Sequence, residues 1–238
     1  MKCENVYEKA WWKEGRQHII GLDEAGRGPL AGPLVVAAVA FPIGYEHEAI
    51  YDSKKVSEKK REQLFREIIE QAEEYHIAII EPKIIDEQNI YRATQHAMEA
   101  LVQQFQYADG VLSDAMPLPG CAVETIDLVK GDQKSVSIAA ASILAKVTRD
   151  HIMMGYDHLY PQYGFARHKG YGTKEHLAAL KKYGVLPIHR LSYAPVAQMM
   201  QLQLPDGAVH KPVSVFAYSV SLQYSLSYIR LPIAVFSS

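Results

Sequence analysis

Short, almost continuously apolar runs are the feature that most constrains how this chain can fold. Residues 18–24 (HIIGLDE) and 33–41 (PLVVAAVAF) are the clearest examples, and a glycine-rich turn lies between them. Apolar runs of this length, rich in β-branched residues and bounded by turn signals, predict buried strands. A strand–turn–strand opening is compatible with a hairpin, so the sheet is expected to contain antiparallel as well as parallel pairs.

Strand and helix patterns then alternate along the chain. Further strands are predicted at residues 76–81, 110–114 and 125–129, and helices at residues 57–75, 90–106, 137–151 and 173–183. Ser57 and Thr173 precede two of these helices and are suitable N-cap residues, and Gly184 follows the last of them. Strands that are repeatedly followed by helices indicate an α/β fold, with a mixed sheet flanked by helices.

The chain of 238 residues is long enough for one large domain or for a domain with an appendage. The last 41 residues differ from the rest, because only Asp206, Lys211 and Arg230 are charged there. Within them, residues 218–228 alternate strictly between apolar or aromatic and polar side chains, which predicts a half-buried strand. We therefore predict a domain over residues 1–197, with a helical C-terminal part from about residue 150. The β-prone tail over 198–238 is expected to add an edge strand or to self-associate.

Composition narrows the class of protein. The fractions of 48% hydrophobic and 22% charged residues exclude a disordered or fibrous chain. No apolar run approaches the roughly 18 residues of a membrane span, and the N-terminus does not resemble a secretory signal. Cys3 and Cys121 are the only cysteines, so neither a disulfide framework nor a zinc site is expected. The expectation is a cytoplasmic, monomeric protein with no membrane partner.

The net charge of −2 hides an uneven distribution. Residues 130–190 contain ten Lys or Arg against four Asp or Glu, and residues 52–66 contain six against three. Charge runs of this kind are commonly solvated helix faces, but they also suit a surface that binds phosphates. The distribution alone leaves both interpretations open.

Four carboxylates stand at the ends of predicted strands or just before a predicted helix: Asp23, Glu24, Asp114 and Asp132. The ends of strands in one sheet lie close together, so acids that are distant in sequence can converge there. Convergent carboxylates repel one another unless a cation neutralises them, and hard oxygen ligands suit Mg²⁺ or Mn²⁺. Two such ions about 3.5–4 Å apart are the arrangement used for in-line displacement at phosphorus.

A glycine-rich turn follows the first two acids, and several motifs now combine into a family resemblance. The turn Gly26–Arg27–Gly28 would let a backbone approach a ligand closely. The motifs to be considered together are residues 21–29 (GLDEAGRGP), 52–57 (DSKKVS), 130–132 (KGD), 138–150 (IAAASILAKVTRD) and 163–171 (YGFARHKGY). With these motifs the chain closely resembles bacterial ribonuclease HII, the type 2 ribonuclease H, from about residue 18 to residue 196.

The resemblance implies a ribonuclease H-like fold and an enzyme that cleaves the RNA strand of RNA–DNA hybrids. It also implies cleavage 5′ of single ribonucleotides embedded in duplex DNA, giving 3′-hydroxyl and 5′-phosphate ends, in ribonucleotide and primer removal. The implied metal-binding and catalytic residues are Asp23, Glu24, Asp114 and Asp132, with two Mg²⁺ or Mn²⁺ ions when substrate is bound. The implied substrate-binding residues are Gly26, Arg27, Gly28, Ser53, Lys54, Lys146, Arg149 and Tyr171.

Within this resemblance, the glycine-arginine-glycine turn would read the ribose 2′-hydroxyl through backbone groups. Tyr171 would pack on the deoxyribose that follows the ribonucleotide, because an aromatic face leaves no buried hydroxyl unpaired. Three alternatives remain. Ribonuclease HIII shares the acids but normally carries a sizeable N-terminal domain, and other nucleases of the superfamily lack the turn-plus-tyrosine pairing. A non-catalytic nucleic-acid-binding protein on this fold would not need all four acids.

Overall fold

The structure is a computed structural model that describes residues 3, 5–51, 53, 56–203 and 233–236. The strands are β1 (Ile19–Ala25), β2 (Leu34–Ala40), β3 (Glu74–Ile80), β4 (Gly110–Asp114), β5 (Thr125–Leu128) and β6 (Ile233–Phe236). The helices are α1 (Val6–Lys13), α2 (Glu58–Gln71), α3 (Pro82–Gln88), α4 (Ile90–Val102), α5 (Val136–Leu159), α6 (Phe165–His168), α7 (Lys174–Tyr183) and α8 (Ala194–Gln203). Among the helices so described, none has both the length and the apolar character to cross a membrane.

The strands form one mixed sheet in the order β5-β4-β1-β2-β3-β6. β1 and β2 are an antiparallel hairpin, as the strand–turn–strand pattern predicts, and β3 continues antiparallel to β2. β4 runs parallel to β1, and β5 runs parallel to β4. The α/β fold with a mixed sheet flanked by helices is therefore confirmed.

Helices cover both faces of this sheet. On one face, α5 and α2 pack against side chains such as Val35 and Val39. On the other face, α4 packs against Leu22 and Val36. The central strands are buried on both sides, which explains why their sequences lack polar alternation.

A glycine brings the longest helix unusually close to the central strand. A Cβ built on Gly21 of β1 would lie 2.3 Å from the carbonyl carbon of Ser137 and 2.4 Å from the amide nitrogen of Ile138. Because the atoms in the way belong to backbone, no side-chain rotation could relieve the overlap. The first turn of α5 therefore lies directly on β1, two residues before Asp23.

Two departures from the sequence predictions lie near the ends of the predicted domain. The first 17 residues show no clear hydrophobic period, yet Val6–Lys13 form α1. Tertiary contacts explain this helix, because Trp11 joins a core cluster and Glu8 Oε1 accepts a hydrogen bond from the Ser135 hydroxyl at 2.5 Å. At the other end, α8 spans residues 194–203, so it runs through the predicted boundary between residues 197 and 198. The strand predicted at residues 218–228 lies outside the described residues.

Candidate active site

Two of the predicted acids stand at neighbouring strand ends. The parallel register pairs Leu22 of β1 with Ser113 of β4, so Asp23 and Asp114 follow at the next position of each strand. Gly131 on the loop after β5 donates its backbone N–H to Asp114 Oδ1 at 2.8 Å. This bond ties the loop that carries Asp132 to the same end of the sheet.

Asp23 is the buried centre of this group, with only 6% of its surface exposed. Its Oδ1 accepts the backbone N–H of Glu24 at 2.7 Å, and the Ser142 side chain of α5 also hydrogen-bonds to it. Burial raises the pKa of Asp23 well above its usual range, and the charges of Glu24 and Asp114 raise it further. The pKa shift shows that three of the predicted acids act on one another electrostatically.

The remaining acid groups differ in their surroundings. Glu24 Oε1 lies 3.6 Å from an Nη1 of Arg27, so the arginine of the glycine-rich turn faces the acidic group. Asp132 is 8% exposed and sits in a short 3₁₀ turn over Gly131–Gln133. Its backbone carbonyl lies 3.4 Å from the Cys3 Sγ, which packs the N-terminal segment against this turn.

The fit of this site to a metal ion rests on donor chemistry. No three His, Cys, Asp or Glu side chains in the described part of the chain are already arranged to hold a metal ion. However, Asp23, Glu24 and Asp114 offer hard carboxylate oxygens, and a buried Asp23 beside two like charges is a place where a divalent cation relieves repulsion. The residues therefore fit a hard divalent cation by chemistry, and the geometry of a complete ligand set is not preformed.

A buried arginine that lies in none of the family motifs holds the glycine-arginine-glycine turn. Arg190 is fully buried, and its guanidinium donates to the carbonyls of Gly26, Arg27 and Gly32 and to the Tyr193 hydroxyl at 2.6–3.2 Å. These contacts use all five of its N–H groups. The turn's carbonyls are thereby directed inward, towards the protein.

Arg149, expected to contact substrate, is instead buried beneath the same segment with 1% of its surface exposed. Its guanidinium donates to the carbonyls of Ala31, Pro33 and Lys169 at 3.0–3.1 Å. Burial lowers its pKa to about 10, and nearby Arg190 contributes, so the group stays charged at neutral pH. In this structure Arg149 therefore connects the glycine-rich segment to the segment that precedes Tyr171.

Those two segments lie against each other. Leu30 donates its backbone N–H to the Gly170 carbonyl at 2.8 Å, and a Cβ on Gly170 would lie 2.4 Å from the Ala31 carbonyl oxygen. Tyr171 is 49% exposed, and a Cβ on Gly28 would lie 3.5 Å from the Cε1 of its ring. Gly28 and Tyr171 therefore present adjacent surfaces.

The other residues expected to contact substrate differ in how far they are buried. Ser53 is buried, and its hydroxyl lies 2.9 Å from that of Ser142. Because the Ser142 side chain also hydrogen-bonds to Asp23, the two hydroxyls connect Ser53 to that carboxyl group. Lys146 is half-buried and forms an ion pair with Asp150 at 2.5 Å. Lys54 lies outside the described residues.

Three histidines form a stacked, buried cluster directly behind Tyr171. His168 and His176 stack with ring centroids 4.6 Å apart, and His176 Nε2 lies 3.0 Å from His189 Nε2. His176 Nδ1 lies 3.0 Å from the Tyr171 carbonyl oxygen. Burial is the main cause that lowers the pKa of His176 to about 4 and that of His189 to about 3. Both rings are therefore neutral at pH 7.

The lowered histidine pKa values predict that acid destabilises the fold. An unfolded histidine titrates near 6.5, so between about pH 4 and 6.5 the unfolded state binds more protons than the folded state. Stability is therefore complete above pH 6.5 and falls as the pH drops through this window. Urea unfolding at pH 7.5 and 5.0 should show a drop that is about 2 kcal/mol smaller for His176→Gln than for wild type. The exposed His158→Gln controls for loss of a histidine as such, and equal drops in all three proteins would contradict the prediction.

Sequence reasoning missed Arg190, His176 and His189, whose roles arise only through tertiary contacts. His189 and Arg190 form a His–Arg pair that follows α7 outside any helix, whereas His176 lies within α7. The pair is brought to the site because Arg190 donates its backbone N–H to the Leu30 carbonyl. No spacing rule connects residues 160 positions apart in this way.

This mixed sheet, covered by helices on both faces and with acids at neighbouring ends of its central strands, has the fold of the ribonuclease H class. The sequence model of the family described as Ribonuclease HII matches residues 20–196, and the chain belongs to the ribonuclease HII family. It is thus an endoribonuclease that acts on RNA–DNA hybrids.

Individual relatives agree with this assignment. The Ribonuclease HII of Ruminiclostridium cellulolyticum is 56% identical over 188 residues, which cover 79% of this chain and 74% of that one. The structure of ribonuclease H2 from Pyrococcus horikoshii is similar with a TM-score of 0.66 and 26% identity, over 78% of this chain and 98% of that one. Bst-RNase HIII in complex with Mn²⁺ shares the fold with a TM-score of 0.56 and 16% identity, over 78% and 70% of the two chains.

Proposed function

We propose that this ribonuclease cuts 5′ of single ribonucleotides embedded in duplex DNA, as well as within longer RNA–DNA hybrids. The supporting observation is that Gly28 and Tyr171 present adjacent surfaces close to the chain segment that carries Asp23. A protein distinguishes RNA from DNA through the 2′-hydroxyl, so reading a junction requires one group for a ribose and another for the deoxyribose beside it. Such an enzyme would remove both isolated ribonucleotides and RNA primers.

In this proposal, the turn of residues 26–28 reads the ribose. Gly26 has a φ of +101°, and a Cβ there would lie 2.2 Å from Arg149 Nε, so only glycine fits. Arg190 binds the carbonyls of Gly26 and Arg27, which fixes the direction of the turn's remaining backbone groups. A backbone surface that is held in place and lacks side chains can approach a 2′-hydroxyl closely.

Asp23, Glu24, Asp114 and Asp132 would hold the divalent cations, Mg²⁺ or Mn²⁺, and two ions are proposed with substrate bound. Mn²⁺ is found with a ribonuclease HIII of the same fold. Bound cations of this kind activate water and stabilise the charge that develops at phosphorus. The protein's own contribution is to hold the Asp23 carboxyl group in a fixed orientation, through the Glu24 N–H and the Ser142 side chain, which in turn contacts Ser53.

Positive groups near this site would hold the nucleic-acid backbones without reading sequence. Lys146 is 30% exposed on its side chain, and Arg27 is 39% exposed. Contacts of such groups with phosphates position a duplex but carry no base information. Arg149 is proposed to act indirectly, by supporting the loops, since its guanidinium is engaged by backbone carbonyls.

The test is cleavage of an end-labelled DNA duplex that contains one ribonucleotide, with Mg²⁺ or Mn²⁺, compared with a continuous RNA–DNA hybrid. Tyr171→Ala is expected to lower cleavage of the embedded ribonucleotide about 10- to 100-fold, because an aromatic stacking contact contributes about 1–3 kcal/mol. The continuous hybrid should be affected less, since no ribose-to-deoxyribose step is needed at each cut.

Tyr171→Phe is the matched control, because it keeps the aromatic face and removes only the hydroxyl. It is expected to cleave the embedded ribonucleotide within a few-fold of wild type. A wild-type protein that binds the duplex but does not cut it would refute cleavage at single ribonucleotides. Equal ratios of embedded to hybrid cleavage in wild type and Tyr171→Ala would refute the role of Tyr171.

A further inference from the structure

The histidine cluster behind Tyr171 has a hydrogen-bond order that the backbone dictates. His176 Nδ1 lies 3.0 Å from the Tyr171 carbonyl oxygen, which only accepts, so this nitrogen carries the proton of a neutral His176. His176 Nε2 is then an acceptor, and His189 Nε2, 3.0 Å away, carries the proton that it accepts. His189 Nδ1 is left without a proton and accepts the Leu186 backbone N–H at 2.9 Å, and the Leu186 carbonyl oxygen also lies 3.2 Å from this nitrogen.

Each bond in this series requires the previous one. If His189 carried its proton on Nδ1, it could donate to the Leu186 carbonyl, but the Leu186 N–H would lose its acceptor and Nε2 could no longer donate to His176. If His176 carried its proton on Nε2, it would face the His189 N–H and could not donate to Tyr171. Buried donors that face each other cost about 1–3 kcal/mol each, so the observed arrangement selects one tautomer of each ring.

The end point of the series is the backbone of Tyr171. Its carbonyl also accepts the Thr173 N–H at 2.8 Å, and its own N–H donates to the His168 carbonyl at 2.9 Å. His168 in turn accepts the Gly170 N–H at Nδ1 and contacts the Tyr163 carbonyl through Nε2 at 2.7 Å. The backbone on both sides of Tyr171 is therefore fixed from the protein interior, while its ring is half-exposed.

We propose that His189 and His176 form a directional hydrogen-bond relay that positions Tyr171 for its contact with the sugar beyond the ribonucleotide. The proposal rests on the proposed junction-reading role of Tyr171. His176 and His189 are positioning residues, since both rings are buried and reach the substrate only through Tyr171. Their neutral state at pH 7, which burial favours, keeps the relay intact under ordinary conditions.

Two substitutions at His176 separate positioning from packing. The amide nitrogen of an asparagine can take the place of Nδ1 and keep the donor to Tyr171. A glutamine amide extends to the place of Nε2, so it keeps a partner for His189 and loses the donor to Tyr171. The readout is the ratio of cleavage at an embedded ribonucleotide to cleavage of a continuous RNA–DNA hybrid.

His176→Gln is expected to lower this ratio about 3- to 10-fold, the effect of one hydrogen bond, and His176→Asn is expected to restore it to within about twofold of wild type. In a Tyr171→Ala background, His176→Gln should lower the ratio no further, because its effect passes through Tyr171. Nitrogen-15 NMR of the histidine rings should show the Nδ1–H tautomer for His176 and the Nε2–H tautomer for His189.

Different failures identify different errors. The opposite tautomers would overturn the relay whatever the cleavage results. If Tyr171→Ala lowers the ratio while His176→Gln does not, or if His176→Asn lowers it as far as His176→Gln, the relay is overturned and the proposed function stands. If Tyr171→Ala itself leaves the ratio at the wild-type value, the junction-reading role fails, and the positioning role of the relay fails with it.

Discussion

Asp23→Asn is expected to lower cleavage of an RNA–DNA hybrid by more than about 100-fold while the hybrid is still bound. Partners that merely support a metal ligand are worth about 10- to 100-fold, so loss of a ligand itself should exceed that range. Asparagine has the same shape as aspartate, and its Oδ1 can still accept the Glu24 N–H. Single-turnover cleavage and equilibrium binding of a labelled hybrid measure the two effects separately.

The effect of this substitution on folding distinguishes loss of a ligand from loss of structure. Without divalent ions, Asp23→Asn should be at least as stable as wild type, because it removes a buried charge that Glu24 and Asp114 repel. Added Mg²⁺ or Mn²⁺ should raise the melting temperature of wild type more than that of the variant. Asp127→Asn, an exposed acid on β5, is the matched control and should cleave like wild type. Cleavage by Asp23→Asn within tenfold of wild type would contradict the metal assignment.

Gly21→Ala is expected to destabilise the protein by about 3 kcal/mol or more. The added methyl group would lie 2.3 Å from the backbone of Ser137, and neither β1 nor α5 can move without disturbing the core on either side. Overpacking of a well-packed core costs about 1–3 kcal/mol, and overlap with backbone is at the severe end of that range. For a domain of this size, the melting temperature should fall by about 6–12 °C.

Gly28→Ala is the matched glycine variant. A Cβ at this position meets only the Tyr171 ring, at 3.5 Å, which is an ordinary van der Waals contact. Its melting temperature should therefore stay within about 3 °C of wild type, whatever happens to substrate binding. A melting temperature of Gly21→Ala that is equally close to wild type would show that α5 and β1 can separate without cost.

The central strands could be predicted from sequence, because burial on both faces leaves a continuous apolar run that needs no tertiary information. β4 has the predicted bounds, and β1 and β2 differ by a residue or so at each end. Helix α1 could not be predicted in this way, since it is held by contacts of Glu8 and Trp11 with residues far along the chain. α5 continues eight residues beyond its predicted end, with Ile152, Met153 and Tyr156 buried on its second half.

For the candidate site, motifs identified residues without fixing the direction of their side chains. Arg149 lies in a motif expected to line the cleft, yet the carbonyls of Ala31, Pro33 and Lys169 take up its guanidinium. Inward-facing carbonyls of a tight loop need buried donors, and only the fold shows which arginine supplies them. The support given by Arg190, His176 and His189 is invisible to sequence patterns for the same reason.

Helix α5 contacts both the acidic group and the loops around Tyr171. Ser135 caps it beside the turn of Asp132, Ser142 contacts Asp23, and Arg149 supports the loops before Tyr171. These three residues follow one another at intervals of seven, which is roughly two helical turns or about 10 Å each. Helix α5 thus sets the distance between the acids and the loops around Tyr171. Under the proposed roles of the acids and Tyr171, changing which bond is cut relative to the recognised sugar would therefore require a change in the length or position of α5.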